Sequence, residues 1–301
     1  MIVNFNDILL RHNKSVVESR SECDTSTMLG NNKFAVPLVM ANMQSLMNRE
    51  ICKLFDENNW FYVYHRIKGY HDVIPFVDYA NENLNITSIS IGVKEDWLNT
   101  IKALKASRFK VDYFTLDVAL SYTDNIIPII KTVKDSYPDS YLIVGNGATK
   151  EWAKWISSFP EVDCVKVGIG VSQSCRTRQY TGFGSSTVGS LLECVEGSKI
   201  NRPIEVMSDG GLTIQDGVVC IGDVAKALVL GADWVMSGAL FSRCIDSPAF
   251  KEGYYGNASK YAKKHFNHVE GELIRTESNG LTIKEMMKLI QDSLKSSISY
   301  S

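Results

Sequence analysis

The sequence predicts an α/β fold, a single (β/α)8 barrel, on three observations. Eight apolar runs of strand length recur at fairly even spacing, at residues 35–41, 60–65, 87–92, 111–118, 141–145, 162–168, 203–208 and 232–238. Between them lie segments with apolar residues every three or four positions, such as 49–58, 95–107, 125–136, 150–157 and 221–230, which is the period of a helix. The runs are continuous rather than alternating, so their strands are buried on both faces, as in a parallel sheet covered by helices. An open doubly wound sheet is the alternative. The barrel is favoured because nearly every run ends in a polar residue or glycine: Asn42, Arg66, Gly92, Asp117, Asn146, Gly168, Asp209 and Gly238. Barrel enzymes place their chemistry at that rim.

The chain has 301 residues, and one barrel fills about 250 residues alone, so residues 1–301 are expected to form one catalytic domain without an accessory nucleotide-binding module. Residues 281–301 read as an amphipathic C-terminal helix. The stretches 169–199 and 241–280 exceed ordinary connections and are expected to be functional loops.

Composition narrows the function. Hydrophobic residues are 45% and charged residues 22% of the chain, as in ordinary globular proteins. Lys plus Arg number 32 against 34 Asp plus Glu, a formal charge of −2, which argues against nucleic-acid or anionic-membrane partners. Any phosphate must be gripped locally. The chain starts without a leader pattern and has no long apolar span, so a cytoplasmic location is expected. The seven cysteines are scattered, without a C-x-x-C pair or a histidine cluster, which suggests neither a zinc site nor a disulfide framework.

One cysteine has unusual surroundings. Cys175 lies in Lys-Val-Gly-Ile-Gly-Val-Ser-Gln-Ser-Cys-Arg-Thr-Arg at 166–178, a glycine- and hydroxyl-rich loop with two arginines beside the thiol. Nearby positive charge favours thiolate, the nucleophilic form. On residue type alone an incidental loop thiol is an equal reading. After the seventh run, Met-Ser-Asp-Gly-Gly at 207–211 sets Asp209 before Gly210 and Gly211, which suits hydroxyl recognition beside a close backbone approach. With Gly238, it matches the phosphate site that barrels build after strands seven and eight, although tight turns alone would also need these glycines. Asp233 reads as a turn or cap residue, and His65 as structural or catalytic alike. The G-x-G at 168–170 lacks the third glycine and following acid of a dinucleotide fingerprint.

Taken in order, these motifs resemble the IMP dehydrogenase and GMP reductase family over nearly the whole chain. The resemblance is carried by Phe-Asn-Asp-Ile-Leu-Leu at 5–10, Pro-Leu-Val-Met-Ala-Asn-Met at 37–43, His65-Arg66, Leu-Asp-Val at 116–118, the cysteine loop, Met-Ser-Asp-Gly-Gly, Gly-Asp-Val-Ala-Lys-Ala at 222–227, Tyr255-Gly256 and Val-Glu-Gly at 269–271. Residues 65–86 leave no room for an inserted module pair, and residues 257–269 none for a long flap, so the likeness is closest to the reductase branch.

The resemblance implies NADPH-dependent reductive deamination of GMP to IMP and ammonia. Cys175 would be the nucleophile in a thioimidate intermediate, with Thr177 and Glu270 assisting departure of ammonia. The nucleotide would meet Ser172, Gln173, Asp209, Gly210, Gly211, Gly238, Ala239, Tyr255, Gly256, Asn257 and Gly271. Arg66, Asp117, Ala119 and Asn146 would face the cofactor, and backbone of Gly168, Gly170 and Cys175 would hold K+ or another monovalent cation. A homotetramer is implied as well.

The chain departs from the family pattern at Val171, Ser172 and Gln173, where the family has Pro, Gly and Ser, and at Arg176, which stands for a threonine. The family's serine contacts phosphate, so Ser172 or Gln173 must compensate. Gln44-Ser45 replaces an acid and a threonine, and Ala239 a glycine. A related oxidoreductase acting on a deoxy or modified purine nucleotide, an IMP dehydrogenase, and a noncatalytic nucleotide-binding paralogue are the alternatives.

Overall fold

A computed structural model describes residues 2–94, 96–263 and 269–301. The chain opens with a one-turn 3-10 helix, Phe5–Asp7, another at Arg20–Glu22, and a hairpin of β1 (Thr27–Leu29) and β2 (Asn32–Phe34). The barrel strands follow as β3 (Leu38–Met40), β4 (Ser88–Ile91), β5 (Tyr113–Asp117), β6 (Tyr141–Gly147), β7 (Cys164–Val167) and β8 (Glu205–Asp209). A short hairpin, β9 (Ile214–Gln215) and β10 (Val218–Val219), precedes the last barrel strand, β11 (Trp234–Ser237), and beyond it β12 (Tyr254–Tyr255) pairs with β13 (Leu273–Ile274). The barrel strands form a seven-stranded sheet in the order β3-β11-β8-β7-β6-β5-β4, parallel throughout.

The first and last barrel strands of the chain, β3 and β11, are neighbours, which curls the sheet round into the (β/α)8 barrel. Seven of the eight expected strands are regular. The second, residues 60–65, is buried but, among the described residues, bridges the sheet only at Tyr64, whose N–H donates to Ser88 and whose carbonyl accepts from Ser90. Its apolar content was legible; its weak pairing was not.

Helices fill the connections: α1 (Arg49–Glu57), α2 (Tyr70–Asn83), α3 (Asp96–Ala106), α4 (Ile127–Ser136), α5 (Lys150–Ile156), α6 (Thr177–Thr181), α7 (Thr187–Gly197), α8 (Gly222–Val229), α9 (Pro248–Glu252), α10 (Lys260–Lys263) and α11 (Ile283–Ser299). Their starts are chemically marked. Asn48, Thr149 and Thr282 each accept a backbone N–H of the first turn, and Thr282 forms a capping box with Glu285. Glu95, expected to begin α3, lies outside the described residues.

Two helices correct the sequence reading. The α7 helix occupies much of the stretch 169–199, expected as loop, and buries Val188, Leu191, Cys194 and Val195 on one face. The α2 helix, which was not singled out, carries Pro75 yet buries Val73, Phe76, Val77 and Ala80 at helical spacing.

The N-terminal end of the barrel is plugged by aromatic rings. Phe34 of β2 packs edge-on against Phe61 at 5.4 Å and Trp234 at 5.6 Å, and Phe61 meets Tyr113 at 4.9 Å. The hairpin is also tied down by hydrogen bonds from Tyr113 Oη to Leu29 and from Trp234 Nε1 to Met28. With that end closed, the opposite rim is left to bind ligands. No helix among the described residues is long and apolar enough to cross a membrane.

Candidate active site at the C-terminal rim

The loop leaving β7 turns back on itself, with Cys175 N–H donating to Ser172 O at 3.0 Å, and enters α6 at Thr177. That places Cys175 Sγ 3.1 Å from Thr177 Oγ1, which donates to Glu270 Oε2 at 2.6 Å. Because the threonine hydrogen is committed to the carboxylate, the threonine oxygen is left to accept from the thiol. Thiol, hydroxyl and carboxylate thus form a line along which a proton can leave sulfur.

Glu270 arrives from 95 residues downstream of Cys175 by backbone pairing. Arg176 N–H donates to Glu270 O at 2.7 Å, Glu272 N–H to Ser174 O at 3.1 Å, and Glu270 N–H to Ala258 O at 3.1 Å. Gly271 is bridged to Cys175 on one side and Ser259 on the other. The arginines flanking the thiol have other partners: Arg176 pairs with Glu272, and Arg178 donates to the Ser185 carbonyl.

A second array crosses four successive strands. Lys166 of β7 donates to Asp117 Oδ1 of β5 at 3.0 Å and Asp209 Oδ2 of β8 at 2.7 Å. Asn146 of β6 donates to the same Asp209 oxygen at 2.8 Å. Arg66 approaches Asp117 from the second strand segment, with Nε 3.5 Å from Oδ2. Burial opposes charge on Asp117, but Lys166 and Arg66 overcome it and hold its carboxyl below the usual range. Burial likewise opposes charge on Lys166, and the two carboxylates reverse the effect, raising it above an ordinary lysine.

The β12 turn closes the rim. Ser45 Oγ donates to Tyr255 O at 2.8 Å, and Asn257 Nδ2 lies 3.5 Å from Asp117 Oδ2. Three hydroxyls meet beneath the turn: Ser172 Oγ is 3.3 Å from Ser174 Oγ and 3.5 Å from Tyr254 Oη. Burial pushes the Tyr254 phenol up, which keeps it a neutral donor. A Cβ at Gly238 would collide with that phenol, and one at Gly211, whose φ is +75°, would collide with Thr187. These two positions require glycine.

Most of the sequence-derived residues therefore gather at one rim. Cys175, Thr177 and Glu270 are in contact; Asp117, Asn146, Arg66 and Asp209 share the ammonium array; Gly210, Gly211, Gly238 and Ala239 end β8 and β11; Tyr255, Gly256, Asn257 and Gly271 belong to the closing turns. Ala119 is exposed beyond Asp117. Of the two residues expected to compensate in the altered loop, Ser172 reaches the hydroxyl group cluster, whereas the side-chain amide oxygen of Gln173 is buried without a partner among the described residues. Gly168, one of three expected cation ligands, gives its carbonyl to Asn146 at 2.8 Å. Asp233 accepts the Val206 N–H at 2.8 Å, as a structural residue does. His65 is buried against Tyr64 with rings stacked 4.5 Å apart.

Sequence reasoning missed Lys166 and Tyr254. The signal for Lys166 was present: a lysine inside the apolar run Cys-Val-Lys-Val must be paired when buried. Size would not have found the site, since a cleft of about 370 Å³ opens at the opposite end, beside Lys33, Asp56 and Trp60. There the Asp56 carboxylate is already satisfied by Asn85 and Ile86.

Fold and site together define a parallel barrel with a thiol, hydroxyl and carboxylate line at its C-terminal rim, next to a buried acid and ammonium array. The chain belongs to the IMP dehydrogenase / GMP reductase domain family, whose model matches residues 2–272. It is 36% identical to the GMP reductase of Chromobacterium violaceum, covering 99% of this chain and 93% of that protein. It is also 36% identical to the GMP reductase of Staphylococcus aureus strain JH9, covering 100% of this chain and 91% of the relative.

Proposed function

We propose that this protein is a GMP reductase, converting GMP to IMP and ammonia with NADPH. The observation that carries the reading is the contact of Cys175, Thr177 and Glu270 in one line. The thiol proton passes through Thr177 to Glu270, and the sulfur bonds to C2 of the purine. Glu270, now protonated, supplies a proton through Thr177 as the C2–N bond breaks and ammonia leaves, giving a thioimidate on Cys175. A nicotinamide cofactor held by Arg66, Asp117 and Asn146 would supply a hydride to C2; the C–S bond then breaks, Cys175 takes back a proton, and IMP departs. The balance is GMP, NADPH and one proton to IMP, NADP+ and ammonia. Covalent attack divides one difficult displacement into easier steps, and a positioned acid and base assists each proton transfer by about 10²–10⁴-fold.

The donor chemistry of the rim suits both ligands. Neutral hydroxyls of Ser172, Ser174 and Tyr254, with backbone at Gly210, Gly211 and Gly238, match a phosphate. Asp209 keeps one carboxylate oxygen for ribose, its other being taken by Lys166 and Asn146. The guanidinium of Arg66, the carboxylate of Asp117 and the carboxamide of Asn146 match the hydroxyls and amide of a nicotinamide nucleotide. The Gly168 carbonyl accepts from Asn146 at 2.8 Å, and no step is routed through a monovalent cation.

The test is the loss of NADPH absorbance with GMP or dGMP, in wild type and Cys175→Ala. Oxidation that depends on Cys175 and yields IMP and ammonia is expected with GMP. Tight nucleotide binding without turnover would overturn the assignment.

A further inference from the structure

Arg176 and Glu272 form an ion pair that the line of Cys175, Thr177 and Glu270 does not use. We propose that this pair is a clasp whose function is to hold Glu270 against Thr177, making Arg176 and Glu272 positioning residues for the reaction. The inference rests on the reading of Cys175 as nucleophile given above.

The argument begins with register. The bridge of Cys175 to Gly271 is antiparallel, so Arg176 stands opposite Glu270 and Ser174 opposite Glu272. Arg176 and Glu272 are then diagonal neighbours across the two segments, a spacing that long side chains span. Two backbone bonds flank them, from Arg176 to Glu270 and from Glu272 to Ser174. Gly271 between them is confined: a Cβ there would lie 3.2 Å from Ser259 N and 3.4 Å from Ser174 O. With no side chain at 271 to anchor the crossing, the segment is held by its backbone bonds to Ser174, Arg176 and Ala258 and by the Thr177–Glu270 contact, and the diagonal ion pair adds a side-chain tie next to Glu270. The arginine sits where the family pattern has a threonine, which has neither the reach nor the charge for this contact.

The clasp also accounts for the arginine next to the nucleophile. Its guanidinium is turned onto Glu272 rather than onto sulfur, so the pair brings two charges to the rim that offset each other. Its effect on the thiol is exerted through the placement of Glu270. A purely electrostatic role predicts something different, because removing the cation and removing the anion would then act on the thiol in opposite directions.

The experiment compares Arg176→Gln, Glu272→Gln and the charge swap Arg176→Glu/Glu272→Arg, all in a Cys220→Ser background. Iodoacetamide labelling of Cys175 at pH 7 is followed by peptide mass spectrometry without ligands, alongside steady-state turnover of GMP. Labelling of Cys175 is expected to slow in both single variants by about threefold, since Glu270 no longer takes the thiol proton. Turnover is expected to show kcat down about tenfold with KM for GMP nearly unchanged, and the swap to recover most of both losses. Faster labelling in Glu272→Gln than in the parent would overturn the clasp in favour of a charge effect. Equal losses in kcat and KM with a lowered Tm would reduce the pair to a structural one. If the parent does not turn over GMP at all, the proposed reaction fails while the labelling comparison still decides the clasp.

Discussion

Replacing Lys166 by Met leaves two buried carboxylates facing each other across a gap that a cation had filled. The lysine side chain is 3% exposed, against 13% for Asp117 and 19% for Asp209. Removing one partner of a buried ion pair costs about 3–5 kcal/mol, because the remaining charge is stranded. Here Arg66 stays beside Asp117 and Asn146 beside Asp209, so the expected loss is about 3 kcal/mol, the lower end of that range. Urea unfolding at pH 7 measures it as a fall in midpoint at unchanged slope.

The pH dependence supplies a second reading of the same experiment. The folded carboxyl of Asp117 is depressed in the wild type, so its contribution is present above the ordinary carboxylate pKa and is lost as pH falls through the depressed value. In Lys166→Met the carboxylates take up protons at higher pH, which relieves their repulsion. The difference between wild type and variant should therefore shrink between pH 7 and pH 5, roughly one unit above the ordinary carboxylate value. A loss under about 1 kcal/mol, or one independent of pH, would refute the array as an ionised bridge.

Two further outcomes follow from the fold. Burial lowers the pKa of His65 to about 4, partly offset by Asp72, so the unfolded chain binds its proton first and stability drops as pH falls from about 6.5 towards 4. The span corresponds to about 3 kcal/mol, and His65→Phe should flatten that limb of a stability-against-pH curve. Phe61→Ala empties the centre of the aromatic plug and is expected to cost about 3–5 kcal/mol in denaturant unfolding, with KM for GMP little altered because the plug lies at the end of the barrel away from Cys175.

The barrel was legible because its strands are buried on both faces and therefore read as continuous apolar runs, each ending in a rim residue. Asp117, Asn146 and Asp209 stood out as polar ends of such runs, and Cys175 as a thiol in a glycine-rich loop. The Trp60 to His65 run was equally apolar, yet hydrophobicity does not report how many ladder bonds a strand makes, and among the described residues this one bridges only at Tyr64. Helix α2 was not singled out, although Val73, Phe76, Val77 and Ala80 kept the helical period around Pro75.

By itself, then, the sequence determined the class of fold and the residue types gathered at one rim, which depend on local patterns of burial and polarity. Tertiary structure alone decided that Thr177 touches Glu270, that Lys166 spans Asp117 and Asp209, and that Arg176 turns to Glu272. Those contacts join residues far apart in the chain or on different strands. Their geometry follows from strand order and backbone register, which no local pattern encodes.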